Sequence, residues 1–220
     1  MTDGLLQGNR RQLICGLVRL AANYTEQQLE LLLAYQRLLI KWNKAYNLIS
    51  TRDQHQIITR HILDSLSLYP YLRSCPAHTS ALDFGTGAGF PGLPLAIMQT
   101  TMSFTLLDSS RKKIAFLQQC RIQLPLANIR PQCQRIEAHH MQYPLLVTRA
   151  VQPLRKLIPL TVRHLTHGGS MLVMLGAAPP AEDMRWIAAH VRALSLEKSN
   201  VSCSGDEDGQ IQRHILMVTV

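Results

Sequence analysis

The chain reads as an α/β protein: a mostly parallel sheet with helices on both faces, preceded by a helical extension. Three observations predict this. From Ala81 onward, short apolar runs alternate with helical periods, the pattern left by parallel strands joined through crossover helices. The first run leads into a glycine-rich turn, from Gly85 to Gly92, and the second ends in an acid, Asp108. Residues before about 75 carry helical signals alone.

Taken in order, Thr25-Glu26-Gln27-Gln28 forms a capping box. It opens a helix whose Leu29, Leu32, Leu33, Leu39 and Ile40 fall mainly on one stripe. A second helix is expected after Thr51-Arg52-Asp53, carrying Ile57, Ile58, His61, Ile62 and Leu66. The turn-rich segment Ser74 to Ser80, with Cys75-Pro76 inside it, marks a boundary. It divides the chain into an N-terminal helical extension, 1–75, placed to act as a lid or substrate-facing element, and an α/β domain, 76–220. Strands are expected at 81–84, 104–108, 129–133, 145–149 and 170–175, and helices near 92–99, 110–124, 153–166 and 180–194. The last part breaks the alternation: a run near 195–203, the turn Ser204 to Gly209, then Ile211 to Val220. This predicts a terminal antiparallel hairpin that brings the sheet to seven strands.

Gly85, Gly87 and Gly89 lack a Cβ, so the turn can take positive φ and press against a ligand toward which the next helix points its free N–H groups. Asp108 lies roughly 20 residues past Gly89, the offset at which an acid reaches the ribose hydroxyls of a bound adenosine. An adenosine-containing cofactor is therefore expected. Two classes fit. Gly87 to Gly92 satisfies the dinucleotide pattern G-x-G-x-x-G, which would make the chain an NAD-dependent oxidoreductase. Against this stands Asp83, whose carboxylate would repel a pyrophosphate but suits the ammonium and sulfonium charges of S-adenosylmethionine. Pro91 and Pro94 also remove N–H groups that a phosphate would use. A terminal hairpin belongs to Rossmann-like methyltransferases rather than to dinucleotide folds. S-adenosylmethionine is the favoured cofactor.

Composition narrows the substrate and the compartment. With 23 Lys and Arg against 14 Asp and Glu, the formal net charge is +9, which favours a polyanionic partner, RNA or DNA. The five cysteines, Cys15, Cys75, Cys120, Cys133 and Cys203, are odd in number and show no C-x-x-C spacing. They read as reduced packing thiols of a cytoplasmic protein, not as a disulfide framework or a zinc site. His139-His140 and His164-x-x-His167 lack nearby partners that would complete a metal site. The apolar run Leu13 to Val18 is too short for a membrane span and lacks a signal-peptide cleavage pattern. A monomer with no membrane partner is expected.

The blocks KWNKAYNLIS (Lys41 to Ser50), RHILDS (Arg60 to Ser65), DFGTGAGFPGLPL (Asp83 to Leu95), LLDS (Leu106 to Ser109), QRIEA (Gln134 to Ala138) and TRA (Thr148 to Ala150) resemble the bacterial small-subunit rRNA methyltransferase G family. This family is also called glucose-inhibited division protein B. The resemblance covers most of the chain, in order and at compatible spacing. It implies a class I S-adenosylmethionine-dependent methyltransferase fold and methylation of guanine N7 in a loop of 16S rRNA, taken free or in the small ribosomal subunit. It places Gly85 and Phe90 at the methionine end of the cofactor, Ile136 and Glu137 against the adenine, Asp108 at the ribose and Arg149 after the fourth strand. Asp83, Gly87 and Gly89 complete the expected cofactor set. Two departures stand out. Ala88 occupies a position where relatives often carry proline, and Leu175 one where many carry lysine, which would remove a cation from the RNA face. Leu175 is the one residue that favours a third reading, an RNA-binding assembly factor with a vestigial pocket.

Guanine N7 already bears an exposed lone pair, so the reaction needs no general base, and none is assigned. Placing nucleophile, methyl carbon and sulfur in line accounts for the rate, a gain of up to about 7–11 kcal/mol in well-oriented systems. For RNA, Lys41, Trp42, Lys44 and Tyr46 mix cations with aromatics, as single-strand recognition requires. Arg60, Arg111, Lys112, Arg149, Arg155 and Lys156 are the other expected RNA contacts. The alternatives are core packing for Trp42 and Tyr46, and a solvated helix face for Lys112 and Lys113.

Overall fold

The computed structural model describes residues 2–149, 152–202 and 210–220. Helix α1 (Thr2–Arg19) leads into α2 (Glu26–Tyr46). The capping box forms as expected: Thr25 Oγ1 accepts the Gln28 N–H at 3.2 Å, and Gln28 Oε1 accepts the Thr25 N–H at 2.8 Å. Asn47, left-handed at φ 48°, ends the helix. Gln28 has a second task, donating through Nε2 to the carbonyls of Ile97 and Met98 at 3.2 Å, so the start of α2 closes the end of a helix in the α/β domain.

The second expected helix is broken into pieces. A 3-10 turn (Thr51–Gln56) is followed by a π-helical segment (Ile58–Leu63) and two short helices, α3 (Asp64–Leu66) and α4 (Tyr69–Leu72). The wider π turn shifts the side-chain register. Here it lets Ile58, Ile62 and Leu63 stay in the core while His61 and Asp64 are buried among polar partners.

Seven strands follow: β1 (Ser80–Phe84), β2 (Ser103–Asp108), β3 (Ile129–Cys133), β4 (Tyr143–Arg149), β5 (Leu165–Leu175), β6 (Ala193–Ser202) and β7 (Gln210–Thr219). Their order is β3-β2-β1-β4-β5-β7-β6. The first five are parallel, and β7 runs antiparallel between β5 and β6. The chain moves outward from β1 to β3, then returns to β4 beside β1. That reversal opens a crevice at the carboxyl ends of β1 and β4, the usual place for a ligand in such sheets. The expected turn from Ser204 to Gly209 lies outside the described residues.

Alternation along the strands sends side chains to two cores. Ala81, Phe104, Leu145, Val147, Leu172 and Ile215 pack toward α1, α2, the π segment, α5 (Gly92–Met98) and α6 (Arg111–Gln123). Leu82, Leu107, Leu146, Val173, Leu175 and Leu216 pack toward α7 (Leu154–Val162) and α8 (Ala181–Ala188). Burial on both faces explains why these strands read as continuous apolar runs. Asp83, Arg149 and Arg213 share the parity of the first set and so face the N-terminal helices. Leu175 is 7 % exposed in the second core. In this chain the position is thus part of the apolar core beneath α7 and α8. α7 and α8 end sooner than expected, because β5 begins at Leu165, directly after the Thr161–His164 turn, and β6 at Ala193.

Candidate functional site

All three alternate glycines of the turn take positive φ: 69° at Gly85, 59° at Gly87 and 109° at Gly89. Their tasks differ. A Cβ on Gly89 would meet Leu117 Cδ2 at 2.9 Å and Tyr35 Oη at 3.0 Å, so this residue permits close packing of α2 and α6 on the turn. A Cβ on Gly87 would find only ordinary contacts, so there the backbone conformation alone calls for glycine. Tyr35, fully buried on α2, donates its hydroxyl to the Ala88 carbonyl at 2.6 Å and pins the turn from the N-terminal side.

Five of the turn's N–H groups are engaged inside the protein. Gly85 and Thr86 donate to the Leu107 carbonyl, Gly89 and Phe90 to the Thr86 carbonyl, and Gly87 to Asp108 Oδ2 at 3.0 Å. Asp83 Oδ2 accepts from the Thr86 hydroxyl at 2.6 Å and the Gly92 N–H at 2.8 Å. Asp83 is thus a buried brace of the turn that faces α5. Burial pushes its pKa up to about 7, with the Asp108 charge adding to the rise, while its two hydrogen bonds and Arg149 oppose it. Asp83 therefore presents no full negative charge to a ligand, contrary to the expectation from the sequence. The occupied amides make the case against a pyrophosphate in its place.

A cavity of about 420 Å³ opens beside the turn, lined by Phe84, Gly85, Leu107, Asp108, Ser109, Lys113, Gln134, Arg135, Ile136, Glu137, Gln152 and Leu160. It gathers four of the expected cofactor residues, Gly85, Asp108, Ile136 and Glu137. Asp108 stands at the tip of β2, with Oδ1 accepting the Ser110 N–H at 2.8 Å and Oδ2 lying 3.4 Å from Lys113 Nζ. Ile136 and Glu137 sit on a 3-10 turn (Ile136–Ala138) beyond β3, the first buried and the second exposed. Asp83, Gly87, Gly89, Phe90 and Arg149 do not line the cavity.

Phe90 and Arg149 belong instead to a cluster on the other side of the turn. Asp64, with no exposed surface, receives Arg213 through Nε at 2.6 Å and Nη2 at 3.1 Å, and Arg149 through Nη2 at 3.3 Å. Arg149 Nη1 lies 3.0 Å from His61 Nδ1, and the His61 ring stacks on Phe90 with centroids 4.9 Å apart. Burial, with Arg149 adding to it, lowers the His61 pKa to about 4 and keeps the ring neutral. Thr148, next to Arg149, donates to the Phe84 carbonyl at 2.8 Å and locks the ends of β4 and β1 together. No sequence pattern assigns a site role to His61, Asp64, Arg213 or Tyr35. His61 and Asp64 lie within the Arg60-to-Ser65 block, whereas nothing around Arg213 marks it.

The expected RNA contacts divide. Lys41, Lys44, Arg60, Arg111, Lys112 and Lys156 are exposed. Arg149 is committed to Asp64 and His61, and Arg155 pairs with Asp183 and Glu182, fastening α7 to α8. Trp42 stacks on Tyr46 at 5.0 Å and meets Phe116 of α6 at 5.7 Å. Trp42 is half-buried, whereas Tyr46 keeps 44 % of its surface exposed. Among the described residues no group of three or more His, Cys, Asp or Glu is arranged to hold a metal ion, and no helix is long and apolar enough to cross a membrane.

A family model described as rRNA small subunit methyltransferase G matches residues 28–216. The ribosomal RNA small subunit methyltransferase G of Ectopseudomonas mendocina is 37 % identical over 215 residues, 96 % of this chain and 96 % of that protein. The protein of the same name from Pseudomonas aeruginosa is 41 % identical over 198 residues, covering 85 % of this chain and 84 % of its own. Among solved structures, magnesium protoporphyrin IX methyltransferase from Synechocystis, with S-adenosylmethionine bound, aligns at TM-score 0.60 over 84 % of this chain and 96 % of that one, at 13 % identity. Precorrin-6y C5,15-methyltransferase from Geobacter metallireducens aligns at TM-score 0.57 over 80 % and 92 %, at 12 % identity. These last two likenesses concern the fold, a class I methyltransferase sheet with its antiparallel end.

Proposed function

The chain belongs to the rRNA small subunit methyltransferase G family, and from this and its site we infer that it methylates guanine N7 in 16S rRNA with S-adenosylmethionine. The observation that carries the reading is the cavity at the switch point, where Gly85, Asp108, Ile136 and Glu137 meet beside a turn in which the amides of Gly85, Thr86, Gly87, Gly89 and Phe90 are already used. A dinucleotide pyrophosphate would need those amides free. S-adenosylmethionine carries no phosphate: it takes an acceptor for its ribose hydroxyls, which Asp108 offers, an apolar surface for its adenine, which Ile136 offers, and room for its methionine end beside Gly85. Bound there, it supplies a methyl group activated on a sulfonium.

The chain's own residues then act by holding and orienting. Tyr35, Asp83 and Thr148 fix the turn and the tip of β4. The exposed Lys41, Lys44, Arg60, Arg111, Lys112 and Lys156 attract phosphates, and the Trp42–Tyr46 pair offers an aromatic face to an unstacked base. The extension 1–75 serves as the RNA-facing element, braced on the domain by Gln28 and Tyr35.

The test is transfer of labelled methyl to small ribosomal subunits lacking their own guanine-N7 methylation, followed by mapping of the modified base. A single labelled N7-methylguanine in 16S rRNA is expected, and Asp108→Ala should abolish both transfer and S-adenosylhomocysteine binding. Cofactor binding without transfer would point to the assembly factor, and no cofactor binding would overturn the site.

A further inference from the structure

The His61 ring is held in one tautomer. Its Nδ1 lies 3.0 Å from Arg149 Nη1, and a guanidinium only donates. Nδ1 therefore carries the lone pair and the neutral ring carries its proton on Nε2. The ring is fixed in space as well, stacked on Phe90 at 4.9 Å with planes 22° apart.

Its Nε2 is buried without a hydrogen-bond partner in a residue only 9 % exposed. Buried donors are nearly always satisfied, so an orphan in a polar cluster needs an explanation. The acceptor facing it is Asp53 Oδ2 at 3.8 Å, too far for a hydrogen bond. Asp53 also lies 3.6 Å from the exposed Arg60 and sits on the 3-10 turn Thr51–Gln56, which has no buried residue. An acceptor carried on so shallow a segment can yield its place to a ligand atom.

We propose that His61 selects the target base, donating from Nε2 to the O6 of guanine. This rests on the guanine-N7 reading above. Guanine presents O6 as an acceptor beside N7, whereas adenine presents an amino donor at that position. A ring N–H fixed as a donor accommodates the first and repels the second. It also leaves the N7 lone pair free for the methyl carbon. His61 lies between Phe90 at the end of the glycine turn and Arg149 at the tip of β4, at the carboxyl ends of β1 and β4 where sheets of this kind take their ligands. Burial and the neighbouring guanidiniums hold its pKa near 4, so the ring is neutral at pH 7 and Nδ1 keeps the lone pair that faces Arg149.

The test compares two small-subunit RNAs, one with guanine and one with 2-aminopurine at the target position, which keeps N7 but lacks O6. With the wild-type chain, kcat/KM for guanine is expected to exceed that for 2-aminopurine by about tenfold or more, the discrimination of one good base-edge contact. His61→Phe keeps a stacking ring without the donor. It should lower the guanine rate alone and bring the ratio close to one, with S-adenosylhomocysteine binding unchanged. His61→Gln, which returns an amide donor, should restore part of the ratio. A ratio unmoved in His61→Phe, or equal losses on both RNAs, would overturn the assignment to His61 while leaving the methyltransferase reading intact. A wild-type chain that labels neither RNA would overturn that reading itself.

Discussion

On one side of the glycine turn lies a cavity whose wall is assembled from the ends of adjacent strands, Gly85 after β1, Asp108 on β2 and Ile136 beyond β3. On the other lies an ion cluster in which Asp64 meets Arg149 and Arg213, the latter 149 residues away along the chain. The two acids are held differently. Asp108 takes backbone N–H groups from Gly87 and Ser110, so its position follows from the turn itself. Asp64 is held by side chains, fully desolvated, and depends on two guanidiniums arriving from remote strands. Backbone-held geometry survives single substitutions, whereas a buried charge cluster fails when one member leaves.

The largest expected effect concerns Asp83, which faces the cluster's side of the sheet. Its folded pKa, about 7, stands above the unfolded value of 3.8. Below that unfolded value both states are protonated and folding carries no penalty. As pH rises through the interval the unfolded chain ionises first, so stability falls, by up to about 4 kcal/mol once both states are charged. His61, whose folded pKa is lowered to about 4, adds a rise of stability with pH to wild type and variant alike, so the Asp83 slope is read as the stability of Asp83→Asn minus that of the wild type, which should grow from pH 4 to 8 in denaturant unfolding. A difference that does not change with pH would mean that Asp83 ionises in the fold without cost.

Next comes Asp64→Ala, which leaves Arg149 and Arg213 facing each other without a counter-charge. A loss of about 3 kcal/mol is expected, at the lower end for a broken buried pair because both arginines retain some solvent contact. A loss below about 1 kcal/mol would show that water replaces the carboxylate, and the contrast between the two regions would dissolve.

The same contrast governs what the sequence discloses. The turn, its three positive-φ glycines, the acid on β2 and the capping box at Thr25 are local patterns, each determined by residues a few positions apart. The parallel strands are legible because burial on both faces leaves unbroken apolar runs. The partnership of Asp64 with Arg213 has no local trace, since only the insertion of β7 next to β5 brings them together. The π segment is hidden for a related reason: its periodicity imitates an α-helix until tertiary packing decides which residues are buried. Arg155 reads as a free cation because Asp183, on the next helix, is invisible in its surroundings.

A smaller effect is expected from Tyr35→Phe, which tests whether the turn is self-supporting. It removes the hydroxyl that reaches Ala88 and leaves that carbonyl without its donor. A cost of about 1–2 kcal/mol in stability is expected, with a several-fold loss of S-adenosylhomocysteine affinity by calorimetry. Unchanged affinity would mean that the hydrogen bonds to Leu107 and Asp108 alone fix the turn.

The smallest expected effect separates occupied from available cations. Arg155 is bound to Asp183 and Glu182, so Arg155→Ala should leave RNA affinity and its salt dependence as they are, with at most a slight loosening of α8. Lys112 is exposed near the start of α6, in the same helix as Phe116, which the Trp42 ring of the Trp42–Tyr46 pair meets at 5.7 Å. Lys112→Ala should lower the slope of log affinity against log salt by about 1, as loss of one phosphate contact does. If both substitutions changed the slope equally, the Arg155 ion pairs would open on RNA binding, and the cationic surface would extend past the tip of β4 onto α7. If only Lys112 mattered, the RNA would follow the edge formed by α2 and α6, the side on which the N-terminal extension meets the turn.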